Sequence, residues 1–206
     1  MKVLLINGSP HKAGCTNRAL EEVASALEAQ GIETEIVWLG NGPIGGCQGC
    51  GYCSSNDTCI IDDIVNDIRP KVAAADGYVF GCAVHYAGMT GNLTGFMDRL
   101  FYTASPDLAF KPAAGICSAR RGGTTATFDQ INKYFTINQM PVVSSCYWNM
   151  VHGGSAADVE QDKEGLRTMR TLGNNMAWLL KCIEAGHAAG LDVPEPEPPA
   201  RTNFIR

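Results

Sequence analysis

The stretch Lys2-Val3-Leu4-Leu5-Ile6-Asn7-Gly8-Ser9-Pro10-His11-Lys12-Ala13-Gly14-Cys15-Thr16-Asn17 decides how the rest of the chain is read. Its first half, residues 2–7, is a β-type run closed by the turn residues Gly8-Ser9-Pro10. Beyond the loop, over residues 16–30, Ala19, Leu20, Val23, Ala24 and Leu27 recur on one helical stripe, and Gly31 supplies the stop. Strand, glycine-bearing loop and helix in that order open an α/β fold. The first turn of such a helix offers unpaired backbone N–H groups and a positive dipole end. Ser9, Thr16 and Asn17 add side-chain donors and Lys12 adds a formal charge, a combination that suits a phosphate. The loop is neither a GxGxxG dinucleotide fingerprint nor a Walker loop, because the Gly-Lys-Ser/Thr ending is absent. Taken alone it is equally an ordinary Thr-capped helix start.

Outward from this unit the alternation continues. Strands are predicted at 32–39, 77–84, 112–118 and 141–148. A helix begins near Asp62-Asp63, whose acids suit a helix N-terminus, and carries Pro70 as a point of kink or reset. Residues 90–102 give the clearest amphipathic period, with Leu93, Phe96, Met97, Leu100 and Phe101 on one face. A helix is expected over 125–135. A long one is expected over 159–188, with Leu166, Met169, Leu172, Met176, Leu180 and Ile183 inward. Five strands separated by helices predict a parallel sheet with right-handed crossovers. At 206 residues the chain has room for one well-cored domain. That domain is expected over residues 1–190, interrupted by a Gly- and Cys-rich insertion at 41–59. The Pro-rich tail, 191–206, contains Pro194, Pro196, Pro198 and Pro199; it cannot be helical, and either wraps a neighbour or stays mobile.

In open parallel sheets ligands bind beyond the carboxyl ends of the strands, where strand order reverses. Two further loops fall at that edge. Val84-His85-Tyr86-Ala87-Gly88-Met89-Thr90-Gly91 combines aromatic and thioether groups with two glycines, a flat apolar shelf for a planar ring. Its His85 is an acid-catalyst candidate, against the ordinary reading of a packing or hydrogen-bonding histidine. Ser118-Ala119-Arg120-Arg121-Gly122-Gly123-Thr124 sets two fixed positive charges beside a glycine pair, suited to an anionic ligand, or else forms a Gly-rich helix start with solvated arginines. Three such loops in register at one edge say more than any one of them.

A net charge of −5 with no basic stripe argues against nucleic acid as a partner. No long apolar run appears, so a soluble, cytoplasmic protein with no membrane partner is expected. There are nine cysteines, and the odd number, with four of them inside 13 positions, does not resemble a secreted disulfide framework. Cys47-x2-Cys50-x2-Cys53-x5-Cys59 has the compact four-thiolate spacing of a cluster site. Tetrahedral zinc, a redox-active dithiol and plain free thiols are the competing readings.

Gly8-Ser9-Pro10 with Thr16-Asn17, Met89-Thr90-Gly91 followed by Phe96-Met97-Asp98-Arg99, the 118–123 run and Tyr147-Trp148-Asn149-Met150-Val151-His152-Gly153 together resemble the NADPH-dependent FMN reductase family. Within that family the chain is most similar to the iron–sulfur flavoprotein branch. The resemblance implies a flavodoxin-like three-layer sandwich with a five-stranded parallel sheet in the order 2-1-3-4-5. It implies FMN with its phosphate at Ser9, Lys12, Thr16 and Asn17, and with His11 and Cys15 in the same binding loop. The ring would lie between Val84, His85, Tyr86, Ala87, Gly88 and Met89 on one side and Ser118, Ala119, Arg120, Arg121, Gly122 and Gly123 on the other. It further implies NAD(P)H as co-substrate, a quinone, azo, nitro, flavin or similar acceptor, and a homodimer or homotetramer whose neighbouring subunit completes the pocket. Asp98 and Arg99 would be structural. All four cysteine positions match the iron–sulfur flavoproteins, which implies a [4Fe–4S] cluster on Cys47, Cys50, Cys53 and Cys59. In the alternative role that follows, an electron carrier takes electrons from a ferredoxin-like donor. No catalytic acid or base is assigned.

Overall fold

In the computed structural model β1 (Lys2–Asn7) lies between β2 (Glu33–Trp38) and β3 (Gly77–Ala83), and β4 (Ala113–Ala119) and β5 (Met150–His152) extend the sheet beyond β3. Residues 1–195, 197, 198, 200, 202 and 204 are described. All neighbours are parallel, so the order is β2-β1-β3-β4-β5, and the direction of winding reverses between β1 and β3. The alternation of β1 explains the layers: Val3 and Leu5 point to one face, Leu4 and Ile6 to the other. On the first face pack α1 (Cys15–Glu28) and α6 (Lys163–Ala188); on the second, α2 (Ile64–Ala74), α3 (Gly91–Leu108) and α4 (Thr124–Ile137). The fold is flavodoxin-like. Two glycines let the helices close on the sheet: a Cβ at Gly81 would sit 2.8 Å from Thr16 Cγ2, and one at Gly115 would sit 2.7 Å from Ile131 Cγ2.

Helix α2 runs through Pro70 without a break, and α3 continues past 102 to Leu108 with Pro106 inside it. Two expectations need correction. The fifth strand does not occupy 141–148. Val142 makes only an isolated bridge to Ala113, after which the chain leaves the sheet and returns as β5. In the gap Ser145 Oγ donates to Tyr147 O and Asn149 Oδ1, a local turn that competes with the ladder. Asn149 rejoins the edge by accepting from Cys117 N and donating from Nδ2 to Gly115 O. Tyr147 and Trp148 are left exposed.

The long last helix is also split. A short α5 (Ala156–Val159) precedes α6, and Asp162 ends the gap by capping α6 through Gly165 N at 2.9 Å. Ile183 is half-buried, while Leu166, Met169, Leu172, Met176 and Leu180 are buried as expected. The tail is not helical among its described residues; what was expected of Pro196 and Pro199, and of 201, 203, 205 and 206, lies outside the described residues. No helix among the described residues is long and apolar enough to cross a membrane.

Candidate functional site

At the carboxyl edge of β1 the backbone turns on Asn7, which is fully buried. Its Oδ1 accepts from Ser9 N, and its Nδ2 donates to Lys12 O and Asn17 Oδ1. Ser9 Oγ accepts from His11 N, and Trp38 Nε1, at the end of β2, donates to Ser9 O at 2.8 Å. The loop is thereby curled over the start of α1. Gly14 caps that helix with no side-chain acceptor, and the first intrahelical bond runs from Arg18 N to Gly14 O. The amides of Cys15, Thr16 and Asn17 have no acceptor among the described residues. Lys12 Nζ stands 5.9 Å from the centre of the Trp38 ring.

This loop forms one wall of a cavity of about 830 Å³. Trp38 and Asn41 form a second wall, Ala83, Val84 and His85 a third, and Ser118, Ala119 and Arg120 a fourth. Residues 153–156, after β5, close the rim. Lys12 and Arg120 line the cavity and no carboxylate does, so its field favours an anion. The volume is that of a cofactor-sized cleft. Val84 N donates to Ser118 O, which locks the second and third loops together. Cys15 Sγ donates to Gly153 O at 3.4 Å, and burial pushes its thiol pKa up, so it is a poor nucleophile.

The expected residues divide sharply. Ser9, His11, Lys12, Cys15, Val84, His85, Ser118, Ala119 and Arg120 border the cavity. Thr16 and Asn17 do not line it, and the start of α1 meets the cavity through Gly14 and Cys15. Thr16 Oγ1 is buried against Ser118 Oγ at 2.8 Å, and Asn17 bonds Asn7 and Glu21. Tyr86 and Ala87 form a tight turn, both at positive φ (50° and 57°), closed by mutual backbone bonds between His85 and Gly88. Tyr86 is fully exposed at its tip and Met89 is buried in the core, so neither lines the cavity. Gly88, Arg121, Gly122 and Gly123 also lie outside the lining. Gly123 instead admits the turn: a Cβ there would fall 2.8 Å from Ala87 Cα. Trp38, Asn41, Ala83 and residues 153–156 line the cavity from outside the three expected loops. For Trp38 the signal was available, because it sits in register with Asn7 at the same sheet edge.

The four clustered cysteines form a second region. The loop between β2 and α2 carries only a single 3-10 turn, Tyr52–Ser54. Cys47, Cys50, Cys53 and Cys59 border one small cavity of about 30 Å³, walled by Ile60, Ile61, Arg99 and Tyr102. Among the described residues no three His, Cys, Asp or Glu side chains are drawn together at metal-ligating separation. The loop is fastened to one stripe of α3. Asn92 holds Gly42 O and Ile44 N, Gly95 lets the backbone cross where a Cβ would meet Ile44 O at 2.9 Å, and Arg99 donates to Gly45 O. From α2, Asn66 grips both backbone groups of Cys59, and Arg69 donates to Asp57 O.

The model of the family described as NADPH-dependent FMN reductase matches residues 1–155. The chain belongs to that family. An iron–sulfur flavoprotein of Methanocaldococcus jannaschii is 32% identical over 195 residues, covering 89% of this chain and 100% of that protein. Among solved structures, RosB with a bound 8-demethyl-8-formylriboflavin-5′-phosphate intermediate superposes with a TM-score of 0.69 at 14% identity, covering 100% of this chain and 94% of the other. A flavodoxin from the domain Archaea gives 0.61 at 15% identity, covering 88% and 99%. The two structural likenesses speak to the fold alone. For this FMN reductase family member, Lys12 and the uncapped start of α1 at Gly14 and Cys15, in a cavity without carboxylates, fit the phosphate of FMN. The four cysteines supply the donor set that a thiolate-held cluster requires.

Proposed function

We propose that this FMN reductase family member is a cytoplasmic oxidoreductase that passes electrons from NAD(P)H, through bound FMN, to a quinone, azo, nitro, flavin or similar small acceptor. The observation that carries the reading is the convergence of Lys12, Arg120 and the uncapped start of α1 at Gly14 and Cys15 on one cavity at the β1–β3 reversal. When bound, FMN supplies the hydride and electron chemistry. The protein's own contribution is binding and electrostatics. Lys12 and the first amides of α1, from Cys15 onward, would hold the phosphate. Asn7 and Trp38 fix the loop that carries those donors. Val84 and Ser118-Ala119 flank the ring, and Arg120 places a fixed charge where a reduced, anionic ring or a nicotinamide-nucleotide phosphate would be favoured. Exposed Tyr102 on α3 and Ile137 on α4, around a cavity of about 400 Å³, support assembly into a homodimer or homotetramer.

Titration with FMN and with riboflavin, which lacks the phosphate, tests the site. The wild type should prefer FMN strongly. Lys12→Ala should weaken FMN about tenfold, as for loss of a charged hydrogen bond, and leave riboflavin nearly unchanged. Equal affinity of the wild type for the two flavins would overturn the phosphate assignment. NADPH oxidation with a quinone and no protein donor tests the reaction.

A second reading is favoured by the four cysteines around one cavity and by the name of the Methanocaldococcus relative. In it Cys47, Cys50, Cys53 and Cys59 hold a [4Fe–4S] cluster, and the chain takes electrons from a ferredoxin-like donor. Iron and sulfide assays on anaerobically purified protein separate it from a zinc site or from free thiols.

A further inference from the structure

One side chain does most to hold the cysteine loop, and it distinguishes one thiol from the other three. Arg99 is 1% exposed, and every direction of its guanidinium is used. Nη1 and Nη2 donate to the two carboxylate oxygens of Asp63, each at 2.7 Å. Nη1 also reaches Gly45 O at 3.3 Å, and Nη2 reaches Ile61 O at 2.8 Å. The remaining donor, Nε, points at Cys59 Sγ, 3.2 Å away. Cys59 is fixed besides by its backbone, which exchanges two bonds with the Asn66 side chain at 2.8 and 3.0 Å. The other sulfurs have no such partner among the described residues. Cys47 Sγ accepts only from the Gly49 amide at 3.5 Å, and Cys50 and Cys53 accept from nothing.

A buried cation that donates to a sulfur favours negative charge on that sulfur. Hydrogen bonds to cluster sulfurs, together with net charge, set the reduction potential of iron–sulfur centres. One-electron reduction of a cluster makes and breaks no bond. It adds one negative charge, which a nearby guanidinium stabilises and a nearby carboxylate disfavours.

We propose that Arg99 is a positioning residue that presents Cys59 as the anchoring ligand of a thiolate-held iron–sulfur cluster, and that the Arg99–Asp63 pair sets that cluster's reduction potential. The inference rests on the cluster reading above. It predicts that the two members of one ion pair move the potential in opposite directions.

The test uses the full chain with FMN bound, reconstituted anaerobically with iron and sulfide and titrated with dithionite while the cluster is followed by electron paramagnetic resonance. Arg99→Gln should lower the midpoint so that, at a fixed potential, the reduced-to-oxidised ratio falls about tenfold, or about 59 mV for a one-electron couple. Arg99→Lys keeps the charge but not the fork, and should restore part of the shift. Asp63→Asn should raise the midpoint. Asp63 also caps α2 through Val65 N at 3.0 Å, and asparagine caps equally well, so this variant keeps the helix start.

A latch with no electrostatic role would leave all midpoints at the wild-type value while iron retention falls, and that result overturns the proposal. Should Arg99→Gln fail to fold, Asp63→Asn decides alone: a raised midpoint supports the proposal, an unchanged or lowered one overturns it. Wild-type protein that takes up no iron and sulfide sinks the cluster reading and this inference with it. Loaded wild type with unmoved variants sinks this inference only.

Discussion

The sheet-edge cavity and the cysteine cavity are built by opposite means. The first is framed by backbone. Gly8 N bonds Gly81 O, Leu39 N bonds Asn7 O, Val84 N bonds Ser118 O and Cys117 N bonds Asn149 O, each tying one strand end to the next. The second is made by side chains. Asn66, Arg69, Asn92 and Arg99 hold a loop that contributes no strand to the sheet. A backbone-built edge follows once the strand order is set, and only its first loop is trimmed by the side chains of Asn7 and Trp38. A side-chain-built site depends on a few long-range bonds and on the ionisation of their members.

The largest way to break this contrast is steric. A Cβ at Gly8 would lie 2.8 Å from Leu93 Cβ, and Thr90 Oγ1 already donates to Gly8 O on the same side. Gly8→Val should cost about 1–3 kcal/mol through overpacking, and flavin affinity should fall together with the melting temperature. Loss of stability with FMN binding intact would show that the edge is not one rigid unit. A smaller effect isolates the loop from the core. Trp38→Phe removes the bond to Ser9 O, worth about 1 kcal/mol, and should weaken FMN about fivefold with little change in melting temperature. Fluorescence titration beside thermal denaturation reads both, and the reverse pattern would assign Trp38 to the core.

The smallest effect tests the side-chain latch through pH. Burial disfavours the Asp63 carboxylate, but the Arg99 bonds, the Val65 amide and the Arg99 charge outweigh it and hold the carboxyl below its usual range. A folded-state pKa below the unfolded value of about 3.9 gives stability that is present above that pH and lost as pH falls through the folded value. The stability gap between wild type and Asp63→Asn should therefore be full at neutral pH and close below about pH 4. Denaturant unfolding across that range measures it, and a gap that persists in acid would mean the carboxylate charge is not what holds the loop.

How much of this was legible in the sequence follows the same division. The 3.6-residue periods of α1 and α3 and the apolar runs of β1 and β3 belong to local pattern, and they fixed the element order and the edge at which the loops meet. The fifth strand failed because Val142-Val143 and Tyr147-Trp148 have strand propensity, while Ser145 and Asn149 form a turn that no propensity registers. In the site, loop identity was legible and side-chain direction was not. Thr16 turns inward to Ser118, and Met89 drops into the core. Arg99 was read as structural, and nothing local could reveal that its Nε meets a sulfur 40 residues away in sequence. That contact exists only once α2, α3 and the loop are assembled.

Helix α3 carries both regions. Its cap residue Thr90 touches the first loop at Gly8 O, and the stripe of Asn92, Gly95 and Arg99 carries the cysteine loop. From Thr90 to Arg99 there are nine residues, about 13.5 Å of helical rise. The interval is therefore quantised. One inserted or deleted residue would change it by about 1.5 Å and swing the stripe by about 100° around the axis, carrying Arg99 off the face that meets Cys59. Spacing and bearing are geared together in this helix, so the distance between the two regions admits no small adjustment by changes of length.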